Sequence, residues 1–193
     1  FTVTVNAVND EPTANAASGT VDEDGSVVIT LSGDDIDGDN LTFSSGAASN
    51  GTVELEGALA TYTPSADYNG DDSFTFSVSD GEYSATATVT ITISAINDAP
   101  TLAVVDAVSF DEDGSGSTTL TGSDIDSNSL TYSVSTGTDI TADIDGSTIA
   151  FTASQDFNGS ESFTATVTDG ELSASQIFTV TVNAVNDAPT LAA

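Results

Sequence analysis

The sequence contains one ten-residue segment, FTVTVNAVND, at 1–10 and again at 178–187, and a close relative, VTITISAINDAP, at 89–100. In each copy an apolar residue alternates with threonine or serine, and a period of two is typical of a half-buried antiparallel strand. Each copy then ends in Asn-Asp, followed two residues later by a proline. The same strand therefore leads three times into the same polar segment, which indicates a repeated structural unit.

The rest of the chain repeats in register with a shift of 89 residues. DEDGS at 22–26 recurs at 111–115, and DYNGDDSFTFSVSDGE at 67–82 recurs as DFNGSESFTATVTDGE at 156–171. The two repeats differ in length at only one place, between the Asn-Asp pair and the DEDGS motif that follows it. We therefore predict the last strand of a preceding repeat at 1–8, two repeats at 9–97 and 98–186, and a linker to a following repeat at 187–193. We expect the chain to be a section of a longer array.

Periodicity predicts the fold of each repeat. Phe74, Phe76 and Val78 share one face of an alternating segment, and Asp-Gly or Asn-Gly turn signals separate such segments along the chain. About seven short strands per repeat predict an all-β Greek-key sandwich. Because seven is odd, the chain should enter each sandwich at one pole and leave at the other, so that repeats follow one another end to end.

The composition excludes several classes of protein. The chain has no Lys, Arg or His against 31 Asp and Glu, a formal net charge of −31. Such a surface repels nucleic acid and anionic lipid, which both need cationic contacts. The hydrophobic share of 38% is periodic and therefore argues against disorder. There is no cysteine for a disulfide framework, and no apolar run long enough for insertion into a membrane.

The acidic residues cluster in loops, and the clusters recur in both repeats. With no cationic side chain in the protein, only solvent ions or a bound metal can neutralise them. Oxygen ligands in flexible loops suit Ca²⁺, whereas zinc and soft metals lack their His and Cys ligands. Mg²⁺ is the remaining alternative, although it prefers waters and phosphates. The alternative is that the acids only solvate the surface. An EF-hand beginning at Asp35 fails, because Asn40 and Gly46 occupy its glycine and glutamate positions.

Four motifs together carry a resemblance to a known family. The linker segment INDAP, the Asp-x-Asp loop at 35–37 and 124–126, and the Asp-Gly pairs at 80–81 and 169–170 occur in the order found in cadherins. The DEDG segments stand where cadherins have an acid near the start of each unit. The chain resembles the cadherin-like tandem repeats of large bacterial (RTX-type) surface adhesins. This resemblance implies two tandem cadherin/Ig-like β-sandwiches with Ca²⁺ bound at the inter-repeat junctions.

Residue by residue, the resemblance implies three sets of metal ligands. The central junction would use Glu23, Asp67 and Asp72 of the first repeat, Asn97 (through its carbonyl) and Asp98 of the linker, and Asp124, Asp126 and Asp169 of the second repeat. The N-terminal half-junction would use Asn9, Asp10, Asp35, Asp37 and Asp80, and the C-terminal one Glu112, Asp156, Glu161, Asn186 and Asp187. Asp22 or Asp24 is the alternative to Glu23.

Two functions compete at this stage. One is a calcium-rigidified spacer (extender) in a long extracellular adhesin on the bacterial cell surface. Its partners would be neighbouring repeats, with cell-surface or biofilm partners reached through other domains. The other is an adhesion module that itself binds a cell or glycan. Near-identical repeat lengths favour the spacer, and acids repeated in every unit without His, Cys, Lys or Arg argue against an enzyme.

Overall fold

In a computed structural model, described at residues 1–6 and 8–186, the chain divides into two compact units, Phe1–Ile96 and Asn97–Ala193. The described residues contain strands, turns and bends but no helix, and so no helix long and apolar enough to cross a membrane. The all-β prediction is confirmed.

Nine strand segments build unit 1 as far as its residues are described. They are β1 (Thr13–Asn15), β2 (Ala17–Asp22), β3 (Val27–Thr30), β4 (Ser32–Asp34), β5 (Thr42–Ser45), β6 (Gly51–Glu56), β7 (Leu59–Pro64), β8 (Gly70–Ser79) and β9 (Ser84–Ser94). They form a four-stranded sheet in the order β2-β9-β8-β5, a three-stranded sheet in the order β3-β7-β6, and the pair β1-β4.

Unit 2 repeats this topology. Its strands are β10 (Thr101–Leu102), β11 (Val108–Asp111), β12 (Ser115–Thr119), β13 (Gly122–Ser123), β14 (Thr131–Val134), β15 (Ile140–Asp145), β16 (Thr148–Ala153), β17 (Gly159–Thr168) and β18 (Ser173–Asn183). The corresponding sheets are β11-β18-β17-β14, β12-β16-β15 and β10-β13.

The first two strands of each unit are interrupted, and this explains nine segments where seven strands were predicted. In unit 1, β1 pairs with β4, and after Ala16 the chain changes sheet so that β2 pairs with β9. Likewise β3 and β4 are separated only by Leu31, whose side chain is buried. Counted as continuous strands, β1–β2 and β3–β4 reduce the number in the unit to seven. A strand that changes sheet joins the two layers at the edge of a sandwich.

The core of each unit lies between its sheets, where the alternation placed it. In unit 1 it contains Phe74, Phe76 and Val78 of β8, all at most 2% exposed, packed with Tyr62 and the apolar residues of β9. In unit 2 the rings of Phe151, Phe163 and Phe178 meet at the centre of an equivalent cluster. Threonine and serine occupy most intervening positions and face outward.

Residues 1–6 and 8 form no strand, although the same sequence is part of β18 at the other end of the chain. The reason is pairing, since a strand requires hydrogen-bonded neighbours. At 178–183 these neighbours are β11 and β17, whereas in unit 1 the equivalent place is filled by β9. The assignment of residues 1–8 to a preceding repeat stays a prediction.

The register of β8 against β9 defines two poles in unit 1. Ser79 faces Ser84 at one end of this hairpin, and Gly70 faces Ile93 at the other. Ten residues of β8 separate these ends by about 30 Å at the usual rise per residue. We call the first end the N-terminal pole and the second the C-terminal pole. In unit 2 the pairs Thr168–Ser173 and Gly159–Val182 mark the same two poles.

Candidate metal centre

Two hydrogen bonds hold the Asn-Asp segment of unit 1 to the N-terminal pole. Asn9 Nδ2 donates to Asp80 Oδ2 at 2.8 Å, and the backbone N–H of Asp10 donates to Asp37 Oδ2 at 2.8 Å. The chain that leads into the unit is thereby fixed beside two of its acidic loops. Asp35 in turn accepts the N–H of Asp37, so hydrogen bonds engage all five predicted ligands of this pole.

Unit 2 makes the same two bonds at its own N-terminal pole. Asn97 Nδ2 donates to Asp169 Oδ2 at 2.8 Å, and the N–H of Asp98 donates to Asp126 Oδ2 at 2.8 Å. The Asn-Asp segment therefore has a fixed place on the unit that it precedes. Each of the two units uses its own copy of the segment, at Asn9-Asp10 and at Asn97-Asp98.

Asp80 and Asp169 are oriented by the turns that follow them. Oδ1 of Asp80 accepts the N–H groups of Glu82 and Tyr83 at 2.6 and 2.7 Å, and Asp169 repeats the arrangement. The next residue, Gly81 or Gly170, has a φ of 105° or 111°, a conformation that favours glycine. The N–H of Tyr83 lowers the pKa of Asp80, and the Asn97 amide lowers that of Asp169. Both carboxylates are therefore held ionised and in a fixed orientation.

The loop 35–39 of unit 1 gathers three carboxylates within a few residues. Oδ1 of Asp35 accepts the N–H groups of Asp37 and Asp39 at 2.9 and 3.3 Å, and Gly38 turns the chain with a φ of 79°. Asp35, Asp37 and Asp39 each offer a carboxylate oxygen, and these three oxygens lie within 4.8 Å of one another. Oxygens bound to one Ca²⁺ at about 2.3–2.6 Å can be no further apart than roughly 5 Å.

Asp39 was absent from the predicted ligand set, although its place in the alternation of acids at 35, 37 and 39 could have indicated it. Unit 2 differs here, because Ser127 and Asn128 replace Gly38 and Asp39. Asp124 accepts the N–H groups of Asp126 and Ser127 instead. The loop of unit 2 therefore offers one carboxylate fewer.

One carboxylate oxygen in each of these loops is shielded from solvent without a hydrogen-bond donor. Among the described residues, Oδ2 of Asp35 and Oδ2 of Asp124 have this property. An ionised oxygen excluded from water is unfavourable unless a donor or a cation compensates it. The recurrence of the feature at equivalent positions indicates a place for a cation or a water molecule.

At the C-terminal pole a buried glutamate holds the chain as it leaves the unit. Glu23 is only 3% exposed, and its Oε1 accepts the N–H of Ile96 at 2.7 Å. Glu112 is buried in the same way and accepts the N–H of Val185. The neighbours of Glu23, Asp22 and Asp24, are exposed. Glu23 is thus the buried acid of this segment, and it holds the exiting chain by its bond to Ile96.

Asp67 and Asp156 lie in tight turns at the C-terminal pole. Both are exposed and both have a φ of 58°, a left-handed conformation that aspartate adopts more readily than most residues. Asn69, two residues beyond Asp67, reaches Glu23 Oε2 at 3.5 Å, so this turn lies beside the buried glutamate. Asn186 is exposed at the end of the described residues, and Asp187 lies outside them.

Asp72 and Glu161 face inward and already have several protein donors. Asp72 accepts N–H groups from Asn50 at 2.9 Å and Ser73 at 2.8 Å, and the Tyr62 hydroxyl at 2.8 Å. Glu161 accepts the N–H groups of Thr138 and Asp139. Both carboxylates fasten a neighbouring loop to the sheet, a role that the sequence did not indicate. Their assignment as metal ligands stays a prediction.

The two units differ in the pair of residues at this inward-facing position. Unit 1 has Tyr62 with Asp72, whereas unit 2 has Phe151 with Glu161. The aspartate is short and takes a hydrogen bond from the tyrosine, while the longer glutamate reaches two backbone N–H groups without one. Burial and the neighbouring Asp72 raise the pKa of Tyr62, so its hydroxyl stays a donor.

The hydrogen bonds to Asp72 and Glu161 predict that the metal-free chain loses stability at acidic pH. Burial tends to raise the pKa of Asp72, but the donors outweigh it and the pKa is lowered from 3.8; the N–H of Asp139 lowers that of Glu161 from 4.5. A lowered pKa contributes stability that is present above the unfolded-state value and lost as the pH falls through the folded-state value. Urea unfolding in metal-depleted buffer should show a free energy that declines below about pH 4.5. Asp72→Asn should lower stability at pH 6 and flatten this decline, and constant stability between pH 5 and 3 would contradict the prediction.

Known proteins resemble the chain in sequence and in fold. The profile of a family described as "Bacterial Ig domain" matches residues 9–92 and 97–183. Among curated proteins, none matches the sequence. The fold is similar to Drosophila N-cadherin EC1-4, at TM-score 0.60 and 17% identity over 91% of this chain and 50% of that one. It is also similar to human protocadherin-24 EC1-2, at TM-score 0.60 and 19% identity over 91% of this chain and 100% of that one.

Fold and site together define a class of protein, an acidic chain of tandem cadherin-like and Ig-like β-sandwiches. The chain belongs to the bacterial Ig domain family. The chain spans half of the N-cadherin structure that it matches, and identities below 20% to these cadherins show a common fold. Domains of these kinds are typically non-enzymatic structural modules, extracellular or exposed at a surface.

Proposed function

We propose that the two units are calcium-rigidified spacer repeats of a long extracellular adhesin of the RTX type, with Ca²⁺ bound where consecutive repeats meet. The observation that carries this proposal is the N-terminal pole. In both units the same two hydrogen bonds bring an Asn-Asp segment against an Asp-x-Asp loop and an Asp-Gly turn. A chain without Lys, Arg or His has no side chain that could neutralise this set.

The donor atoms support Ca²⁺ over other metals. Every proposed ligand is a carboxylate or an amide, and Ca²⁺ takes six to eight such oxygens in flexible geometry. Mg²⁺ demands a stricter octahedron and keeps its waters more firmly. The shielded oxygens Asp35 Oδ2 and Asp124 Oδ2 would gain the partner that they lack. When bound, the ion would supply the positive charge that the loops need.

The proposed ligands fall into two groups. At the N-terminal pole of each unit they are Asn9, Asp10, Asp35, Asp37, Asp39 and Asp80, and Asn97, Asp98, Asp124, Asp126 and Asp169. At the C-terminal pole they are Glu23 and Asp67, and Glu112 and Asp156. The predicted pair Asn186 and Asp187, of which Asp187 lies outside the described residues, completes the proposed set. Asp72 and Glu161 are omitted because they face the inner side of β8 and β17, where each fastens a neighbouring loop to the sheet. Asp39 is added because its oxygen approaches those of Asp35 and Asp37.

The mechanism depends on charge. Without metal, acids at the facing poles of consecutive repeats repel one another, and a linker of a few residues leaves the repeats free to reorient. Shared ions would remove this repulsion and fix the orientation. A long array would then be stiff outside the cell, where Ca²⁺ is abundant, and would project any binding domain that it carries. Neighbouring repeats would be its direct partners.

Removing one linker carboxylate should weaken Ca²⁺ binding without unfolding either unit. Asp98→Ala keeps the backbone N–H that bonds Asp126, so the segment remains attached to unit 2. We expect calorimetry to show one class of sites weakened roughly tenfold or more, because affinity follows the number of charged ligands. Asp143→Asn, an exposed acid on β15, is the control for charge alone. If the Ca²⁺-binding isotherm of Asp98→Ala equals that of the unchanged chain, the linker is not part of the metal site.

Small-angle scattering tests the spacer role itself. In Ca²⁺ the two-unit chain should have a longer maximum dimension and a narrow distribution of shapes. In chelator the distribution should broaden and its mean dimension shorten, because the linker bends freely. Identical scattering in the two buffers would refute calcium stiffening even if Ca²⁺ binds.

A further inference from the structure

The first strand of each unit is bonded differently to the rest of its sandwich. In unit 1, β2 lies parallel to β9 over six registered pairs, from Ala17–Val89 to Asp22–Ser94. In unit 2, β11 lies parallel to β18 over only four, from Val108–Val180 to Asp111–Asn183. The preceding pair is shorter as well, with three registered positions in β1-β4 and two in β10-β13.

The difference lies at the step where the first strand changes sheet, in the segment that also holds the one length change between the repeats. Unit 1 changes sheet over the single residue Ala16. Unit 2 uses residues 103–107 for the same step, and the side chain of Val104 there is 80% exposed. The bond that closes each ladder is the same in both units, from the N–H of Glu23 to Ser94 O and from the N–H of Glu112 to Asn183 O at 2.9 Å. Only the length of the ladder differs.

This ladder lies in the path of any force that stretches the chain. The N-terminal strand enters at one pole, and the last strand leaves at the opposite pole, running in the same direction. Tension pulls β2 back toward the N-terminal pole and β9 onward toward the C-terminal pole, so the two strands slide against each other. The bonds between them are then loaded together and not one after another. Resistance therefore grows with the number of pairs in the ladder.

We infer that the two units differ in mechanical strength, and that unit 2 is the one that yields first under tension. That the chain bears tension between its two ends in its biological role rests on the proposed spacer function. The order in which the units unfold depends only on the ladders within each unit. Forced unfolding is governed by the unfolding rate. Two further backbone hydrogen bonds of ordinary net strength should slow unit 1 roughly tenfold relative to unit 2 at equal force. An array built in this way would lengthen by releasing its weaker repeats and keep the stronger ones folded.

Single-molecule pulling of the two-unit chain tests the order, provided that each event can be assigned to a unit. The chain has no cysteine, so introduced pairs are unambiguous. Ser109→Cys with Thr181→Cys joins partners across β11 and β18, and Thr20→Cys with Thr92→Cys joins partners across β2 and β9. Adjacent strands are within disulfide reach. Once oxidised, each disulfide carries the force directly between the first and last strands, so the segment between its two cysteines, most of the unit, cannot be extended.

Before oxidation, both variants should show two unfolding events, at a lower and a higher force. Oxidation of the unit 2 pair should abolish the lower-force event, and oxidation of the unit 1 pair should abolish the higher-force one. The reverse assignment, or two events of equal force, would overturn the inference. Reduction of each variant restores both events and shows that it still folds.

The order should hold in Ca²⁺ and in chelator alike. If Ca²⁺ alters neither the forces nor the scattering, the proposed function fails while the order of unfolding stands. If Ca²⁺ stiffens the chain but unit 1 yields first, the mechanical inference alone fails.

Discussion

Adding millimolar Ca²⁺ to the metal-free chain should raise its melting temperature steeply, and this is among the largest effects that we expect. Extracellular sites of this kind bind Ca²⁺ with a Kd of about 10⁻⁴–10⁻³ M. At free Ca²⁺ near 100 times Kd, each site adds about 2.7 kcal/mol to the free energy of unfolding. Because small domains are stable by only about 5–15 kcal/mol, one or two sites change the melting temperature by many degrees. Thermal unfolding followed by circular dichroism over a Ca²⁺ titration measures it.

Two comparisons make this result specific. Mg²⁺ at equal concentration should have a much smaller effect, since the loops cannot easily satisfy its octahedral demand. Asp35→Asn together with Asp124→Asn should abolish most of the gain, because these aspartates carry the shielded oxygens. Equal melting in Ca²⁺ and in chelator would refute the metal centres altogether.

The second large effect is expected in the core of unit 2. Phe163 is 1% exposed, and its ring lies 5.3 Å from that of Phe151 and 6.1 Å from that of Phe178, centroid to centroid. Phe163→Ala should destabilise unit 2 by about 3–5 kcal/mol through lost burial and the cavity that remains. Urea unfolding followed by circular dichroism should then show unit 2 unfolding at a lower urea concentration than unit 1.

Tyrosine fluorescence separates the two units in the same experiment. Tyr62, Tyr68 and Tyr83 belong to unit 1, and Tyr132 alone belongs to unit 2. For Phe163→Ala the tyrosine signal should therefore change mostly in the later transition. The matched variant Phe74→Ala, at an equally buried position of unit 1, should reverse the order. A single shared transition for both variants would mean that the units unfold as one.

The sequence alone was sufficient to predict the class of fold and the residues of the core. Alternation is a local property, and a side-chain period of two places Phe74, Phe76 and Val78 on one face whatever lies opposite. The repeat strengthened the fold prediction, because the same pattern recurs 89 residues later with different residues at the same positions. The acidic loops were equally visible, since carboxylates without a counter-charge are informative wherever they cluster.

The sequence could not separate acids that surround a candidate cation site from acids that fasten a loop. Asp72 and Asp37 look alike along the chain, yet Asp72 faces the core side of β8 and accepts a tyrosine hydroxyl. That distinction depends on the orientation of the side chain and on donors from residues 49–62. The alternation of acids at 35, 37 and 39 was visible in the sequence, but the approach of Asp39 to Asp35 also depends on the conformation of Gly38.

Local period and composition, which the sequence carries by itself, determined the strands, the repeats, a two-layer core and an anionic surface that favours a hard cation. Only the tertiary structure decided which groups meet. The pairing of Asn97 with Asp169 joins residues 72 positions apart, and the length of the β11-β18 ladder depends on where the first strand changes sheet. Contacts between distant residues arise from the packing of the whole unit, and no local pattern encodes their distances or their number.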